Sequence, residues 1–434
     1  MNYKKFSGAA SAALMIVIVT LILTTAAGAA SKYKTLYEFK NGKDGGTLVA
    51  PVIFDQAGNL YGTAAAGGIT NCYGSGCGVV FKLTPNSDGS WTESVLYSFT
   101  GGNDGGYPSG PLIFDQAGNL YGMTYWGGAN HYGVVFELKP NTDGSWTESV
   151  PYSFCSLANC SDGRQPYAGL IFDNAGNLYG TTMSGGGPYD DGTAFKLTPS
   201  SDGSWKESVL HSFANGVDGQ YPGNLTFDAL GNLYGTTWFG GRKDRGVVFQ
   251  LTPNTDGSWK ANVLHNFTGG KDGGLPRGSS LIFDQAGNLY GTTSQGDGSG
   301  CDEGYGCGVV FKLTPTADGS WKEKVLHRFS GSKGGAVPRG GLILDPVGNL
   351  YGTTSEGGNL SYCYATGCGV VFKLAPNSSG GWRETVLHSF RGQPGIIPLA
   401  GVIFDAAGNL YGTTAGDIWN GQPTSFGSVF EITP

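Results

Sequence analysis

Short apolar segments separated by polar, glycine-rich turns fill the chain from about residue 31 onwards. In one representative unit, apolar and β-branched residues concentrate in Pro111 to Asp115, Leu120 to Thr124, Gly133 to Lys139 and Trp146 to Phe154. Valine, isoleucine, phenylalanine, tyrosine and threonine dominate these segments, and none has the 3.6-residue period of an amphipathic helix. The pattern predicts an all-β unit of four short strands.

This unit is repeated along the chain. The motif FDxxGN, with small variations, occurs seven times, with its aspartate at Asp55, Asp115, Asp173, Asp228, Asp284, Asp345 and Asp405. Successive aspartates lie 55 to 61 residues apart. Four-stranded units repeated seven times predict a seven-bladed β-propeller, in which radial arrangement protects the sheet edges. A linear β-solenoid is the alternative, but its coils are usually shorter and its ends are closed by atypical repeats.

The two ends of the repeat array are incomplete in a complementary way. Ser31 to Phe39 aligns without gaps on the fourth-strand segment Trp91 to Phe99, whereas the last unit stops after its third strand, Gly427 to Pro434. We therefore predict that residues 31–39 supply the fourth strand of the last blade and close the ring without an exposed edge. Residues 31–434 would then form a single propeller domain.

Residues 1–30 have the features of a secretory signal peptide. Two lysines within the first five residues precede an apolar segment, Ala12 to Leu23, and a run of small residues, Ala26 to Ala30, follows it. Cleavage at the end of this run would release the propeller. An uncleaved membrane anchor is the alternative, because alanine and threonine extend the apolar stretch towards spanning length. Both interpretations export the rest of the chain, to a secreted, periplasmic or cell-surface location.

The eight cysteines support export, because they fall into four close pairs. The pairs are Cys72 with Cys77, Cys155 with Cys160, Cys301 with Cys307, and Cys363 with Cys368. An even number, local spacing and a leader together predict four disulfide bonds. Zinc is the alternative, but the pairs lie in glycine-rich loops without a nearby histidine. Each bond would stabilise the fold by about 2 kcal/mol through loop closure.

Charge and motifs narrow the possible functions. The formal net charge is −7, and no basic run occurs, which excludes nucleic acid and anionic membranes as expected partners. The sequence has no Ser-His-Asp arrangement, phosphate loop or dinucleotide fingerprint. We therefore expect no cofactor and no metal, and we expect a monomer.

A family resemblance rests on three recurring segments. They are LIFDQAGNLYGTT, strands such as Gly78 to Leu83, and DGSW turns. Together they resemble the GloVer tandem repeat of choice-of-anchor exported bacterial proteins, over essentially the whole of residues 31–434. The resemblance implies export and a propeller-like repeat array, and it implies no established activity. Some members carry a C-terminal sorting segment, whereas this sequence ends at Pro434 directly after a strand, so we expect no C-terminal anchor.

Residues that recur from blade to blade are interpreted as structural. A catalytic acid is needed once or as one pair, so the seven motif aspartates are predicted to hold turns. Blade packing is predicted for Trp91, Trp146, Trp205, Trp259, Trp321 and Trp382. One repeat position holds His211, His265, His327 and His388, and tyrosine in the other blades. Separate blades keep these imidazoles too far apart to share a metal ion.

Residues that break the repeat concentrate in the loops between strands two and three and between blades. These loops share one face of a propeller, and variable loops on a rigid scaffold indicate a binding face. The position just before strand one holds Ser109, Tyr167, Gly223, Arg277, Arg339 and Leu399. Arg277 and Arg339 are predicted to be neighbours that hold a carboxylate or sulfate, and solvated rim charges are the alternative. Trp126, Trp238 and Trp419 are loop aromatics that would stack on sugars or pack their own loops.

These features predict an exported propeller whose loop-rich face binds an extracellular glycan or protein without catalysis. A purely structural surface protein is one alternative, and a secreted glycan hydrolase or lyase is another. The enzyme would use two of the non-recurring loop acids Asp190, Asp191, Asp302, Glu303, Glu356 and Asp417. Two carboxyl groups within about 5 to 10 Å in one pocket, one of them with a raised pKa, would favour the enzyme.

Overall fold

The computed structural model describes residues 31–68, 72, 74–214, 216–278, 280–296, 301, 304, 306–363, 366–416 and 425–434. The proposed signal peptide, residues 1–30, lies outside the described residues, so its assignment stays a prediction. No helix within the described ranges is long and apolar enough to cross a membrane.

The described residues form 29 strands and one single-turn 3₁₀ helix, Ala158–Cys160. Strand β1 (Lys32–Glu38) precedes the first blade. Blade 1 contains β2 (Ile53–Phe54), β3 (Leu60–Ala64), β4 (Val79–Pro85) and β5 (Trp91–Ser98). Blade 2 contains β6 (Gly106–Pro108), β7 (Ile113–Phe114), β8 (Leu120–Trp126), β9 (Val134–Pro140) and β10 (Trp146–Ser153). Blade 3 contains β11 (Ile171–Phe172), β12 (Leu178–Thr182), β13 (Thr193–Pro199) and β14 (Trp205–Ser212).

The remaining blades follow the same order. Blade 4 contains β15 (Gln220–Phe227), β16 (Leu233–Phe239), β17 (Val247–Pro253) and β18 (Trp259–Asn266). Blade 5 contains β19 (Ile282–Phe283), β20 (Leu289–Thr293), β21 (Val309–Pro315) and β22 (Trp321–Arg328). Blade 6 contains β23 (Ile343–Leu344), β24 (Leu350–Thr354), β25 (Val370–Pro376) and β26 (Trp382–Ser389). Blade 7 contains β27 (Ile403–Phe404), β28 (Leu410–Thr414) and β29 (Ser428–Thr433).

The first strand of the chain completes the last blade. Strand β1 pairs antiparallel with β29, so that Lys32 lies opposite Thr433 and Glu38 opposite Ser428, and the sheet order is β1-β29-β28-β27. The predicted seven-bladed propeller and its closure by the N-terminal strand are both confirmed. Blade 2 carries one additional short strand, β6, which pairs with β8.

The core lies between blades rather than within a single blade. Seven apolar clusters each join two neighbouring blades; one of them packs Leu36 and Val429 of blade 7 against Phe81 of blade 1 and closes the ring. The repeated tryptophans belong to this packing: the ring of Trp146 in blade 2 meets that of Tyr61 in blade 1 edge to face at 6.3 Å. The same contact recurs for all six tryptophans, which confirms their predicted packing role.

The FDxxGN motif folds into a turn held by its aspartate. Asp55 Oδ1 accepts backbone N–H bonds from the residues two and four positions later, both at 2.9 Å. Its Oδ2 accepts from Asn59 Nδ2 at 2.7 Å and from the Tyr61 hydroxyl at 3.0 Å. Burial by itself would raise the pKa of Asp55, but these hydrogen bonds hold it below its usual value. Blade 2 differs only in that Tyr121 donates to Glu137. The structural interpretation of the motif is confirmed.

The glycine of the following LYG sequence is required by close packing across the blade. A Cβ on Gly62 would lie 2.5 Å from Cζ of Phe81, which stands opposite it on β4. The equivalent glycine meets the equivalent phenylalanine in every blade. Any larger residue would have to displace this buried ring, so the motif requires glycine at this position.

All four predicted disulfide bonds are present. They join Cys72 to Cys77, Cys155 to Cys160, Cys301 to Cys307, and Cys363 to Cys368. Cys301 and Cys307 are buried and belong to the apolar cluster between blades 5 and 6, whereas Cys155 and Cys160 are only partly buried. The bonds therefore both close short loops and, in that interface, fill core space.

Candidate ligand-binding site

A cavity of about 280 Å³ lies on the propeller axis, at the face that carries the variable loops. Its wall is built from the segments that precede the innermost strand of each blade, together with residues that follow the second strand. All seven blades contribute, through residues 49–51, 109 and 111, 167–168, 221–224, 277–278 and 280, 339–343 and 399–403. We call this space the axial cavity.

Buried threonines hold the wall of the axial cavity in place. The hydroxyl of Thr353 in blade 6 donates to the backbone carbonyl of Ala400 in blade 7 at 2.7 Å, and Thr413 of blade 7 donates to Ala50 of blade 1 at 2.9 Å. Comparable bonds link other neighbouring blades, although blade 2 has Met123 at this position. The Thr of the LYGTT motif thus positions the wall of the next blade.

The structure brings the two predicted arginines together in this wall. Arg277 and Arg339 come from adjacent blades 5 and 6, and both line the axial cavity. The guanidinium carbon of Arg277 lies 5.1 Å from the centroid of the Trp238 ring, within the range of a cation–π contact. The Nε of Arg339 is buried and has no hydrogen-bond partner among the described residues. None of the described lining residues is acidic, so the wall favours an anion.

An aromatic wall faces these charges from blades 3 and 4. The ring of Tyr167 meets that of Trp238 edge to face at 5.6 Å, and both residues line the cavity. Burial raises the pKa of the Tyr167 hydroxyl, and the positive charges of Arg339 and Arg277 partly oppose that rise. The phenol therefore stays protonated at neutral pH and is available as a hydrogen-bond donor or acceptor.

The sequence-predicted site residues divide into three groups. The axial cavity is lined by Ser109, Tyr167, Gly223, Arg277, Arg339, Leu399 and Trp238. Trp126 lies outside this lining, with 40% of its surface exposed and its ring edge to face with that of Tyr125 at 4.8 Å. Trp419 lies outside the described residues. Trp238 has Arg277 on its face, so it orients a charge instead of offering that face to a sugar.

Three of the six loop acids of the enzyme alternative are among the described residues, and none of these three lines the axial cavity. Asp190 is bound by the guanidinium of Arg164 and accepts a backbone bond from Gly185 at 2.6 Å. Burial would raise the pKa of Asp190, but Arg164 and this bond lower it, so the group is ionised at neutral pH. Asp191 and Glu356 are not among the described lining residues of the cavity. Asp302, Glu303 and Asp417 lie outside the described residues.

Close carboxyl pairs occur instead in the grooves between the fourth strands of neighbouring blades, which we call the outer grooves. Between blades 1 and 2, the Tyr97 hydroxyl donates to Asp104 at 3.1 Å. Burial and the negative charge of Asp104 raise the pKa of Glu148 to about 7. The same relation joins Glu93 to Asp44, Glu207 to Asp162 and Glu323 to Asp272. A pair repeated in four grooves is structural by the same argument that applies to the motif aspartates.

Sequence reasoning missed these glutamates, although a signal was present. Each is the third residue of its fourth strand, in β5, β10, β14 and β22. The partner aspartates also hold turns of their own blade: Asp104 Oδ2 accepts the backbone N–H of Thr100 at 2.7 Å. Only the assembled ring shows that a glutamate of the next blade faces each turn.

The four repeat-position histidines lie in separate outer grooves, as predicted. His211 Nε2 lies 2.6 Å from Asp218 Oδ2, and His265 Nε2 lies 3.4 Å from Asp272 Oδ2. In the next groove His327 faces Glu384 at 3.7 Å, and burial lowers its pKa to about 4. In the part of the chain that the structure describes, no three His, Cys, Asp or Glu side chains gather as metal ligands.

Several solved structures are similar to this chain. Two of them show the extracellular domain of BT4673 from B. thetaiotaomicron, assigned in one to a one component system and in the other to a hybrid two component system. They are 11% and 12% identical to this chain, with TM-scores of 0.53 and 0.54, and cover 92% and 93% of it. This chain spans only 39% and 42% of theirs.

A third structure, assigned as an oxidoreductase of the glucose dehydrogenase type from a Thermus species, is 15% identical with a TM-score of 0.44 and covers 93% of this chain and 100% of its own. The likeness to the two BT4673 domains, at 11% and 12% identity, shows the fold alone. No curated protein matches the sequence.

A family model describes the repeat itself. The model of the Gloeobacter/Verrucomicrobia repeat matches residues 22–229 and, overlapping them, residues 183–426. The match spans all seven blades and agrees with the resemblance carried by the FDxxGNLYGTT segments. The chain belongs to the Gloeobacter/Verrucomicrobia repeat family.

Proposed function

We propose that this protein is an exported binding module that holds the acidic group of an extracellular glycan in its axial cavity and leaves the glycan intact. One observation carries the proposal: Arg277 and Arg339 converge from adjacent blades on a cavity whose described lining has no acidic residue. Hydrogen bonds to a charged group contribute about 1.5 to 3 kcal/mol each, so one such bond from each guanidinium group would contribute about 3 to 6 kcal/mol to the binding of a small acid.

The rest of the wall favours a sugar acid over a bare inorganic ion. The remaining lining combines the ring of Tyr167 with aliphatic groups such as Leu399 and Val402. Small-ligand pockets typically have this composition, with a few polar groups that orient the ligand. A sugar acid has both an apolar ring face and a charged substituent, and therefore matches both parts of the wall.

A hydrolytic function has weaker support. Glycoside hydrolysis needs two carboxyl groups on opposite sides of the scissile bond. The carboxyl pairs with a raised pKa, such as Glu148 with Asp104, lie in the outer grooves and are repeated around the ring. We therefore propose binding without catalysis.

Isothermal titration calorimetry of the purified, disulfide-bonded protein tests this proposal. Galacturonate and galactose 6-sulfate provide carboxylate and sulfate arms, and galactose is the neutral control. We expect the acids to bind and galactose not to bind at low ionic strength. Arg339→Gln should weaken acid binding about tenfold or more. Arg383→Gln, an exposed arginine on β26, is the matched control and should leave affinity unchanged.

Three results would overturn the proposal. Equal binding of galactose and the acids, or no binding of either acid, would show that the arginines do not select an anion. New reducing ends after incubation with a galacturonate oligomer would show that the protein cleaves its ligand.

A further inference from the structure

We infer that the ligand is an acidic oligosaccharide whose second and later sugar rings leave the axial cavity across an aromatic ridge on blade 2. The ridge consists of Tyr125 and Trp126, with Tyr107 beside them. This inference rests on the proposed function, because it assigns a direction and a minimum length to the same ligand.

One repeat position makes the two sides of the loop face different. The fifth residue after the leucine that begins strand two is bulky only on three consecutive blades, where it is Tyr125, Met183 and Trp238. The other four blades have Ala65, Ser294, Ser355 and Ala415. The face is therefore aromatic on the side of blades 2 to 4 and has small side chains on the opposite side.

The rings on that side form one continuous set of contacts from the cavity to the solvent. Trp238 meets Tyr167 at 5.6 Å, Tyr167 meets Tyr125 at 6.1 Å, and Tyr125 meets Trp126 at 4.8 Å, with interplanar angles of 85° to 88°. Tyr107 adds a fourth edge-to-face contact with Tyr125 at 6.4 Å. Edge-to-face contacts at these distances hold each ring in a defined orientation.

The outer end of the set is available to a ligand. Trp126 is 40% exposed, although it lies beside rings that are mostly buried. A ring immobilised by its neighbours loses little conformational entropy on binding and presents a flat apolar surface with a polar edge. The C–H face of a sugar ring is complementary to such a surface.

The axial cavity is too small to enclose the whole of the proposed oligosaccharide. Pockets that enclose drug-sized ligands have roughly 300 to 1,000 Å³, whereas the axial cavity has about 280 Å³. It accommodates little more than one sugar ring beside the two arginines. Any further residue of a glycan must lie outside it, and the aromatic contacts lead outward over blade 2.

The charge beside the ridge does not oppose an acidic chain. Arg164 lies with its guanidinium carbon 5.3 Å from the Tyr132 ring centroid, and Asp190 binds this guanidinium. The carboxylate of Asp190 is thereby neutralised locally, and the positive charge of Arg164 acts on Tyr125, where it opposes the rise in pKa that burial causes. A glycan acid at this point meets no uncompensated negative charge from this pair.

Calorimetry with galacturonate oligomers of one to four units tests the inference. Wild-type affinity should rise about tenfold from the monomer to the trimer. Trp126→Ala should remove most of that rise and leave monomer affinity unchanged. Tyr189 is an exposed aromatic residue in another loop, with 55% exposure. Tyr189→Ala is therefore the matched control and should leave the affinities for monomer and trimer unchanged. Thermal unfolding of each variant verifies that it is folded.

The outcomes separate this inference from the proposed function. Equal affinities for monomer and trimer would overturn the ridge and leave the acid site intact. An equal loss for monomer and trimer in Trp126→Ala, or an equal effect of Tyr189→Ala, would also overturn it. Failure of every oligomer and the monomer to bind would overturn the proposed function together with the ridge.

Discussion

The guanidinium carbon of Arg277 lies 5.1 Å from the centroid of the Trp238 ring. The ring in turn meets Tyr167 edge to face. The orientation of the Arg277 guanidinium group therefore depends on aromatic packing between blades 3 and 4. A contact of this type contributes about 0.5 to 2 kcal/mol. A residue of the preceding blade therefore orients this arginine, and preorganises it for the ligand that we propose.

Replacement of Trp238 should weaken acid binding while both arginines remain. We expect Trp238→Leu to lower galacturonate affinity about three- to tenfold, because the side chain keeps an apolar volume but loses the ring that orients Arg277. Titration calorimetry measures the change. Trp126→Leu, outside the cavity lining, should leave monomer affinity unaltered. Identical affinities of the Trp238 variant and the wild type would contradict the preorganisation.

Replacement of Glu148 should stabilise the protein at alkaline pH. Burial and Asp104 raise the folded pKa of Glu148 from 4.5 to about 7. The folded state therefore binds this proton more tightly, and the free energy of unfolding falls as pH rises from 4.5 through 7. Because the side chain is partly exposed, solvent screening reduces the cost of the charged form to about 1 kcal/mol.

Urea unfolding at pH 5 and pH 8 measures this effect. Glu148→Gln should gain about 1 kcal/mol over the wild type at pH 8 and little at pH 5. The exposed Glu38 on β1 offers a control. The difference in unfolding free energy between Glu38→Gln and the wild type should be the same at pH 5 and pH 8. A loss of stability at pH 8 would show that the charged carboxylate is favourable in this groove.

A methyl group at Gly62 should strain the blade. Its carbon would lie 2.5 Å from Cζ of Phe81, and the phenyl ring is fully buried. We expect Gly62→Ala to reduce the free energy of unfolding by about 1 to 3 kcal/mol, the usual cost of overpacking. Denaturant unfolding gives the value. Gly270→Ala, at an exposed turn position where the nearest atom is 3.4 Å away, should change stability far less.

Loss of one threonine hydroxyl should destabilise the cavity wall. Thr353→Val keeps the shape of the side chain but removes the donor to the Ala400 carbonyl. An unsatisfied buried carbonyl costs about 1 to 3 kcal/mol, so the melting temperature should fall. Thr385→Val at an exposed position of β26 is the control. An unchanged melting temperature would mean that the carbonyl finds another donor.

The four disulfide bonds should stabilise the protein by different amounts, depending on how buried they are. Removal of any one of them costs about 2 kcal/mol in loop closure. Cys301→Ala with Cys307→Ala should cost more than Cys155→Ala with Cys160→Ala, because only the first pair belongs to an interblade core. Unfolding of the two double variants side by side compares them, and equal losses would show that core packing contributes nothing there.

Much of the fold could be predicted because each blade is encoded locally and repeated. The alignment of Ser31 to Phe39 on Trp91 to Phe99 was sufficient to predict closure of the ring. The first strand was predicted too long, as Pro111 to Asp115, whereas β7 covers only Ile113–Phe114. Proline has no N–H to donate to a ladder, and the preceding segment turns away to line the cavity.

The candidate site was predictable only in part. A repeat position just before strand one lies near the axis in any propeller, which is why Arg277 and Arg339 could be placed together. The contact between Arg277 and Trp238 could not be predicted, because Trp238 belongs to another blade and occupies a different repeat position. The glutamates of the outer grooves were missed for the same reason: Glu148 meets Asp104 only when two blades lie side by side.

The sequence by itself determined the number of blades, the strands, the turns, the pairing of cysteines and the closing strand. All of these depend on contacts within one repeat, or on the comparison of one repeat with the next. The tertiary structure decided which side chains meet across blades: Trp238 under Arg277, Tyr125 between Tyr167 and Trp126, and Glu148 beside Asp104. Those contacts depend on the rotation between blades, which packing of the whole ring sets and no local pattern encodes.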